Sequence, residues 1–284
     1  MSGDTEGKIR CWRMEDGGED SGMPMDAGSG LFNVAVSRDG RLVVSGTETA
    51  LVRVWNVETH SRVSEFGTEH SMGVLAVDIS PDATKIVTGS QDKTACVWSL
   101  STGRRLLGPW EHNNFVVAAK FSPDGRFIAT ATWNCDSVRI YDSQNDIFVQ
   151  FPVKVNWILN YSLTWVSDSK QLFAISHDGD IHRVDVSTRS TLSTWHIHGS
   201  APPTCIALAC NETFIAASAY CSVSFWDTRS QEQIGTVIEY THEVWSMVIS
   251  SNYDLVTGGD KIITLRALRD ILPSDYLDNV SAPA

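Results

Sequence analysis

The side chains best suited to chemistry in this chain are histidines and carboxylates that stand close together. The run 196–198, His-Ile-His, places two imidazoles on one face of a strand, which is a possible pair of metal ligands. No third ligand is identifiable, so we interpret the run as part of an outer strand. The run 177–180, His-Asp-Gly-Asp, resembles a carboxylate site but has the position of a turn between two strands. We therefore expect no metal and no cofactor.

Patterns typical of nucleophilic or phosphate chemistry are also weak. Residues 3–8 lack the length and the strand-to-helix context of a phosphate-binding loop. The chain has no Gly-x-Ser-x-Gly sequence. Cys205 and Cys210 are interpreted as core or near-core residues. We expect no catalytic residues and predict that the protein is not an enzyme; a site in a central channel stays an alternative.

Composition restricts the class of protein and its partners. The 284 residues include 42% hydrophobic residues, and the mean hydropathy of −0.10 is typical of a soluble globular protein. No apolar run is long enough for a membrane span, and the N-terminus lacks the apolar stretch of a signal peptide. Six cysteines without a Cys-x-x-Cys pair indicate an intracellular protein, in the cytoplasm or the nucleus.

The net charge of −12 and the absence of a Lys/Arg cluster argue against nucleic acid, because a polyanion is repelled by an acidic surface. The composition thus predicts other proteins as partners, with no binding to nucleic acid or membranes.

A regular spacing of aromatic residues indicates how the chain is organised. The tryptophans that carry the spacing are Trp12, Trp55, Trp98 and Trp226. The first two gaps are 43 residues each and the third is 128, close to three times 43. Tyr141 and the neighbourhood of Val184 fill the two intervening positions. A self-similar period in the low forties is typical of the four-stranded blade of a β-propeller.

Each period repeats the same succession of strands and turns. In residues 70–98 a histidine is followed by an inner strand at 74–79, a turn at 80–83, a second strand at 85–90 and a third strand at 94–98. About 15 residues before the next unit accommodate an outer fourth strand. We therefore predict an all-β propeller with six complete blades of three to four strands, plus an N-terminal partial blade.

The N-terminal residues 2–12 align with 88–98, so the chain starts on the third strand of a seventh blade. We favour an incomplete seven-blade ring over a closed six-blade ring with peripheral residues 1–28. The predicted parts are a partial blade strand and an acidic flexible loop (1–30), the propeller blades (31–268) and a C-terminal tail (269–284). A truncated gene product, or the sensor or repeat domain of a larger protein, would give the same pattern.

Three short motifs connect this pattern to a known family. They are Ser-Pro-Asp-Gly at 122–125, Gly-Ser-Gln-Asp-Lys-Thr at 89–94 and Phe-Trp-Asp at 225–227. Together with the period, they make the chain similar to WD-repeat (WD40-type) proteins over nearly its whole length. The resemblance implies a fold of β-propeller type and a role as a protein-interaction scaffold.

The resemblance also implies a buried hydrogen-bonded relay in each blade, formed by His, a strand hydroxyl, Asp and Trp. Only residues 70–98 hold a complete set, consisting of His70, Thr88 or Ser90, Asp92 and Trp98. Elsewhere the set is incomplete: Tyr141 and Val184 replace Trp, and Tyr220 replaces Asp. We expect unequal blade stability, with blade 70–98 the most stable.

The turns after the second strand and the loops before the inner strand meet on one rim of a propeller. Aromatic and polar side chains predicted on this rim are Trp110, Asn114, Trp133, Trp157, Tyr220 and Tyr240. Such residues are typical of interface hot spots. The alternative is that each aromatic ring folds back into its blade; Trp133, in a longer and more polar turn, is the strongest candidate. The predicted function is a non-enzymatic interaction scaffold.

The sequence 225–229 supports an alternative function. It is similar to the Trp-Asp-x-Arg box with which some WD-repeat proteins bind the adaptor of cullin ubiquitin ligases as substrate receptors. The residues that match this box are Trp226, Asp227 and Arg229. The acidic residue expected near Tyr220 is absent, and an ordinary blade with an incidental arginine explains the same sequence.

Overall fold

The protein is a seven-blade β-propeller. The computed structural model describes residues 1–13, 19, 24–133, 138–146, 148–149, 163–176, 178–197, 203–259 and 262–277. These residues form seven antiparallel sheets that follow one another in chain order, and we number them blades 1 to 7. The prediction of an all-β propeller with six fuller blades and a partial first blade is confirmed.

Two blades have three strands and five have four among the described residues. Blade 1 contains β1 (Ser2–Gly3), β2 (Lys8–Arg10) and β3 (Met25–Asp26). Blade 2 contains β4 (Leu31–Val36), β5 (Leu42–Thr47), β6 (Leu51–Asn56) and β7 (Arg62–Gly67). Blade 3 contains β8 (Val74–Ile79), β9 (Lys85–Ser90), β10 (Thr94–Ser99) and β11 (Arg105–Glu111). Blade 4 contains β12 (Val116–Phe121), β13 (Phe127–Thr132), β14 (Arg139–Asp142) and β15 (Phe148–Val149).

The remaining blades repeat this order. Blade 5 contains β16 (Leu163–Trp165), β17 (Gln171–Ile175), β18 (Asp180–Asp185) and β19 (Ser190–His196). Blade 6 contains β20 (Pro203–Leu208), β21 (Phe214–Ala219), β22 (Ser222–Asp227) and β23 (Gln233–Glu239). Blade 7 contains β24 (Ser246–Ile249), β25 (Asp254–Gly259) and β26 (Ile262–Ala267).

A serine–aspartate turn connects the inner and second strands of several blades. In blade 4 the Ser122 hydroxyl donates to Asp124 and accepts the backbone N–H of Phe127 at 2.9 Å. Gly125 completes the turn with a φ of +72°, a conformation that glycine adopts without a steric penalty. The same serine–aspartate bond occurs at Ser37–Asp39 and Ser80–Asp82. The repeated sequence therefore determines a repeated turn.

The hydrophobic core lies between blades rather than at one centre. Each of the six buried apolar clusters in the described chain combines residues of two successive blades. Between blades 3 and 4, for example, Val87, Val97 and Trp110 pack with Phe121 and Ile128. The inner strands of successive blades also contact one another in chain order. Every blade is thus positioned by its neighbours.

Blade 3 contains a continuous buried relay from its third strand to the loop before its inner strand. The Trp98 indole N–H donates to the Thr88 hydroxyl at 2.8 Å. The Thr88 oxygen lies 2.7 Å from His70 Nε2, and His70 Nδ1 lies 3.0 Å from an Asp92 carboxylate oxygen. Of the two hydroxyls considered, Thr88 makes the link. Ser90 is not part of it, because its hydroxyl donates to the carbonyl oxygens of residues 72 and 73 instead.

Burial and hydrogen bonding together determine the ionisation states of His70 and Asp92. Burial lowers the pKa of His70, although Asp92 opposes the shift. Burial alone would raise the pKa of Asp92, but hydrogen bonds from the Thr94 hydroxyl and the Ser71 N–H, together with the interaction with His70, lower it below its ordinary value. The folded relay therefore favours a neutral imidazole beside an ionised carboxylate.

Other blades retain only parts of this arrangement. In blade 4 the Tyr141 hydroxyl and the Thr130 hydroxyl each lie 3.5 Å from His112 Nε2, and burial lowers the pKa of His112 to about 3. In blade 6 the Trp226 indole N–H donates to Ser224 on its own strand at 2.8 Å. In blade 2 the Trp55 indole nitrogen is buried with no hydrogen-bond partner among the described residues.

Blade 1 repeats one element of the relay at the beginning of the chain. The Trp12 indole N–H donates to the Ser2 hydroxyl at 2.9 Å, as Trp98 does to Thr88, with the same separation of ten residues. Ser2 and Gly3 form the end of a second strand, so blade 1 begins slightly earlier than the third strand that the sequence indicated. The predicted loop also contains a short fourth strand, β3, because Met25 is buried against blade 2.

The C-terminal segment packs on the propeller in its first part. Two short 3-10 turns, Leu268–Asp270 and Ser274–Tyr276, follow β26. Leu268 and Leu272 are buried in the core between blades 6 and 7, and the Asn211 side-chain amide donates to the Tyr276 carbonyl at 2.7 Å. Residues 269–277, the first part of the predicted C-terminal tail, therefore pack on blades 6 and 7. No helix in the described ranges has the length and apolar character needed to cross a membrane.

We expect Thr88→Val to destabilise the protein by about 2 to 4 kcal/mol. The substitution keeps the shape of the side chain but leaves the buried indole N–H of Trp98 and the imidazole of His70 without their shared partner. Urea unfolding followed by tryptophan fluorescence measures the change. Thr188→Val, in an exposed turn, is the control and should change the free energy of unfolding by less than about 0.5 kcal/mol. Equal effects of the two substitutions would contradict the relay.

Candidate partner-binding surface

Two kinds of connection meet on one face of the propeller. They are the turns between second and third strands and the loops that lead into the inner strands; we call this surface the loop face. Backbone hydrogen bonds join the two kinds. The Trp133 N–H donates to the Phe115 carbonyl at 2.9 Å within blade 4, and the Val244 N–H of blade 7 donates to the Tyr220 carbonyl of blade 6 at 2.8 Å. Such bonds hold the loop face on the rigid sheets.

Large apolar side chains are exposed on the loop face of five blades. They are Phe32 (38% exposed), Met72 (47%), Trp133 (39%), Tyr220 (50%) and Trp245 (58%). Each belongs to a different blade, namely blades 2, 3, 4, 6 and 7. Single exposed apolar residues are ordinary on protein surfaces, whereas a set that shares one face is typical of an interaction site.

Two of the six predicted rim residues are among these exposed side chains. Trp133 follows β13 directly, and Tyr220 occupies the tight turn between β21 and β22 with a φ of +56°. Asn114 is only half-buried, and its side-chain oxygen accepts the backbone N–H of Phe115 at 2.8 Å, so it shapes the loop before β12. Trp157 lies outside the described residues.

Trp110 is not a rim residue. It lies on the outer strand β11, 7% exposed, with its ring stacked on Tyr141 of blade 4 at a centroid distance of 4.0 Å. Its indole N–H donates to Asp146. Trp195 takes the equivalent position on β19 and packs against Trp226 of blade 6. The prediction for Trp110 was wrong because outer-strand aromatics are needed to fill the space between neighbouring blades.

Tyr240 is also partly buried. Its ring packs against the cluster between blades 6 and 7, lies 5.6 Å from the His242 ring and carries the Arg266 guanidinium at 5.2 Å from its centroid. Only part of its surface remains accessible. Tyr240 therefore stabilises the loop before β24 and offers little of its side chain to a partner.

The exposed residues Phe32, Met72 and Trp245 were not found from the sequence. Phe32 is the second residue of the inner strand β4, and Met72 and Trp245 lie in the loops just before β8 and β24. A signal was available for Phe32: strand alternation beside buried Leu31 turns it outwards. Exposure of Met72 and Trp245 depends on how the loops pack, which sequence spacing does not specify.

Two places on the loop face combine an exposed apolar side chain with a carboxylate. At the junction of blades 2 and 3, a Cβ atom on Gly73 would lie 2.9 Å from the Phe32 ring and 3.1 Å from the Glu48 backbone. This glycine, which follows Met72, allows the Phe32 ring and the Glu48 backbone to approach closely, while the Glu48 carboxylate accepts the Gly30 N–H at 3.3 Å. We call Phe32, Met72 and Glu48 the first acidic–apolar site.

The second place lies at the junction of blades 6 and 7. Trp245 follows Val244, whose N–H donates to the Tyr220 carbonyl, and the Trp245 N–H donates to the Gly258 carbonyl at 2.9 Å. Glu243, which directly precedes Val244 and Trp245 in the sequence, is half-buried. We call Tyr220, Glu243 and Trp245 the second acidic–apolar site.

The predicted adaptor box lies on the opposite face of the propeller, where third strands connect to fourth strands. Trp226 is buried against blade 5. Asp227 accepts the backbone N–H groups of Arg229 and Ser230 at 2.7 and 2.6 Å. Burial would raise the pKa of Asp227, but these donors and the Tyr276 hydroxyl lower it. The Arg229 side chain is exposed and forms no ion pair within the described ranges.

Two of the reactive side chains singled out by the sequence, His196 and Cys205, contact ordinary side chains of their own blades. His196 pairs with Asp180 across β18 and β19, with 3.0 Å between Nδ1 and the carboxylate oxygen, and His182 lies 3.1 Å from the Thr194 hydroxyl. Cys205 is buried beside Ser218, and burial raises its pKa to about 11. His177 and His198 lie outside the described residues. Among the residues that are described, no three His, Cys, Asp or Glu side chains are grouped to hold a metal ion.

Comparison with protein families identifies two repeats. The family model WD40, described as WD domain, G-beta repeat, matches residues 61–99 and 105–142. Each match begins at a fourth strand, β7 or β11, and ends at the third strand of the next blade, β10 or β14. The repeat in the sequence is therefore offset from the blade in the structure by one strand. No curated protein matches the chain.

We expect Trp110→Ala to destabilise the protein far more than Trp133→Ala, although both remove an indole. Trp110→Ala should cost about 3 to 5 kcal/mol because it opens a cavity between blades 3 and 4. Trp133→Ala should cost less than about 0.5 kcal/mol because its side chain is exposed. Urea denaturation of both variants measures the difference, and comparable losses would contradict the assignment of Trp133 to the surface.

Proposed function

Because this chain is a WD40-repeat β-propeller, we propose that it is a non-enzymatic scaffold that binds other proteins through its loop face. WD40 propellers commonly act as protein-interaction scaffolds. The proposal goes further by naming the surface. The mechanism is presentation: rigid blades hold exposed side chains in fixed positions, so that little conformational entropy is lost when a partner binds.

The observation that carries the proposal is the shared exposure of Phe32, Met72, Trp133, Tyr220 and Trp245 on one face. Trp and Tyr are enriched in interface hot spots because each ring buries a large area with few rotatable bonds. Backbone hydrogen bonds hold two of these positions, Trp133 and Tyr220, so the surface is already formed without a partner.

A second candidate function is that of a substrate receptor for a cullin-type ubiquitin ligase. Exposure of Arg229, on the face opposite the loop face, supports it, since a guanidinium that forms no ion pair with the described part of the chain is available for an adaptor. Asp227 orders the turn around this residue through its bonds to two backbone N–H groups. The two functions are compatible, because one face would take the substrate and the other the adaptor.

We expect affinity purification followed by mass spectrometry to recover at least one protein with the wild-type chain that is lost with Trp133→Ala combined with Tyr220→Ala. Removing hot-spot aromatics of this kind typically weakens binding by about 2 kcal/mol or more, which is roughly 30-fold. Leu192→Ala, an exposed apolar residue on the outer strand β19, is the matched control and should retain every partner. Partners that bind the double variant as well as the wild type would exclude the loop face.

The same purification tests the second candidate. The adaptor of a cullin ligase should be present with the wild type and absent with Arg229→Ala, whereas the loop-face variants should retain it. Its absence with the wild type would exclude the receptor function and leave the scaffold proposal unaffected.

A further inference from the structure

The loop face carries many more acidic than basic side chains. In its described turns and loops there is one basic side chain other than histidine, Lys93, and no arginine. The acidic residues of the same segments are Asp4, Glu6, Glu48, Glu69, Asp92, Asp178 and Glu243. This imbalance concentrates on one face the acidity of a chain whose net charge is −12.

Several of these carboxylates form ion pairs or buried hydrogen bonds within the protein. Asp92 belongs to the relay of blade 3, Glu69 pairs with Arg105, and Asp4 lies 3.6 Å from the Arg10 guanidinium. Glu48 and Glu243 form no ion pair with any residue in the described ranges. These two carboxylates belong to the two acidic–apolar sites, which lie at different junctions of the ring.

An exposed ring beside a carboxylate that forms no ion pair is suited to one class of side chain. A Lys or Arg side chain carries an aliphatic stem that covers apolar surface and a cationic head that binds carboxylates. An arginine head also stacks on aromatic faces. Neither an acidic nor an uncharged peptide satisfies both features of such a site.

We infer that the partner of the loop face is a basic segment of another protein, with Lys or Arg side chains bound at both acidic–apolar sites. At the first site the cation lies between Phe32 and Glu48, and at the second between Trp245 and Glu243. This inference rests on the proposed function, and it specifies the class of partner. The negative field of the face also speeds the encounter with such a segment.

Fluorescence anisotropy with defined peptides tests the inference directly. The probe is a fluorescein-labelled dodecapeptide of four Arg-Gly-Leu repeats, compared with matched peptides in which Ser or Glu replaces Arg. We expect saturable binding of the arginine peptide at least tenfold tighter than that of the serine peptide, and no binding of the glutamate peptide. Binding of the arginine peptide should weaken as salt is added, because the contacts include exposed charges.

The affinities of variants of the two sites show where the arginine peptide binds. Glu48→Gln and Glu243→Gln should each weaken the arginine peptide by about two- to fivefold, and Trp245→Ala should do so by a similar factor. Glu58→Gln removes the same charge from an exposed turn on the opposite face, between β6 and β7, and should leave the affinity unchanged. Unchanged circular dichroism spectra confirm that each variant is folded.

Three results would overturn the inference. They are the absence of saturable binding by the arginine peptide, equal binding of the serine peptide, and an effect of Glu58→Gln as large as that of Glu48→Gln. The last result would show attraction by net charge without a site. Loss of natural partners in the loop-face double variant, combined with failure of the arginine peptide, would exclude the basic segment while preserving the proposed scaffold function.

Discussion

Packing of each blade against the next is the interaction on which the rest of this protein depends. The apolar faces of the sheets are buried in six clusters, and each cluster joins residues of two successive blades. No blade can bury its apolar surface alone, so its position is determined by its neighbours. Trp110 and Trp195, which lie on outer strands, also belong to these clusters. Because all blades have the same orientation, their turns emerge on two opposite faces.

Hydrogen bonding adds to this packing unevenly. Blade 3 has the complete relay from Trp98 through Thr88 and His70 to Asp92. Among the described residues, the Trp226 indole of blade 6 donates to Ser224 instead, and the Trp55 indole of blade 2 has no partner. A net hydrogen bond contributes about 1 kcal/mol, while burial of one large side chain contributes about 1.5 to 3 kcal/mol. Drift of the relay is therefore tolerated as long as the packing between blades is kept. The fold persists while the sequence motif that marks it decays.

The separation of the two faces allows two kinds of contact on one rigid body. The loop face combines exposed rings with carboxylates that form no ion pair among the described residues, such as Trp245 with Glu243. The opposite face carries the ordered turn at Asp227 and the exposed Arg229. Since both faces are fixed to the same sheets, a partner on either side meets a preorganised surface. This is the physical basis of the proposed scaffold function.

The sequence by itself determined the local features of this protein. The Ser-x-Asp turns and the alternation of strands depend on contacts within a few residues, and the tryptophan spacing marks the repeat of the blade, so together they predicted the blades. The sequence could not choose between Thr88 and Ser90, which lie two residues apart on the same face of β9. Nor could it separate buried Trp110 from exposed Trp133, since both stand beside polar residues. Only the tertiary structure decided these cases and revealed Phe32, Met72 and Trp245, because burial of a side chain depends on where the neighbouring blade lies.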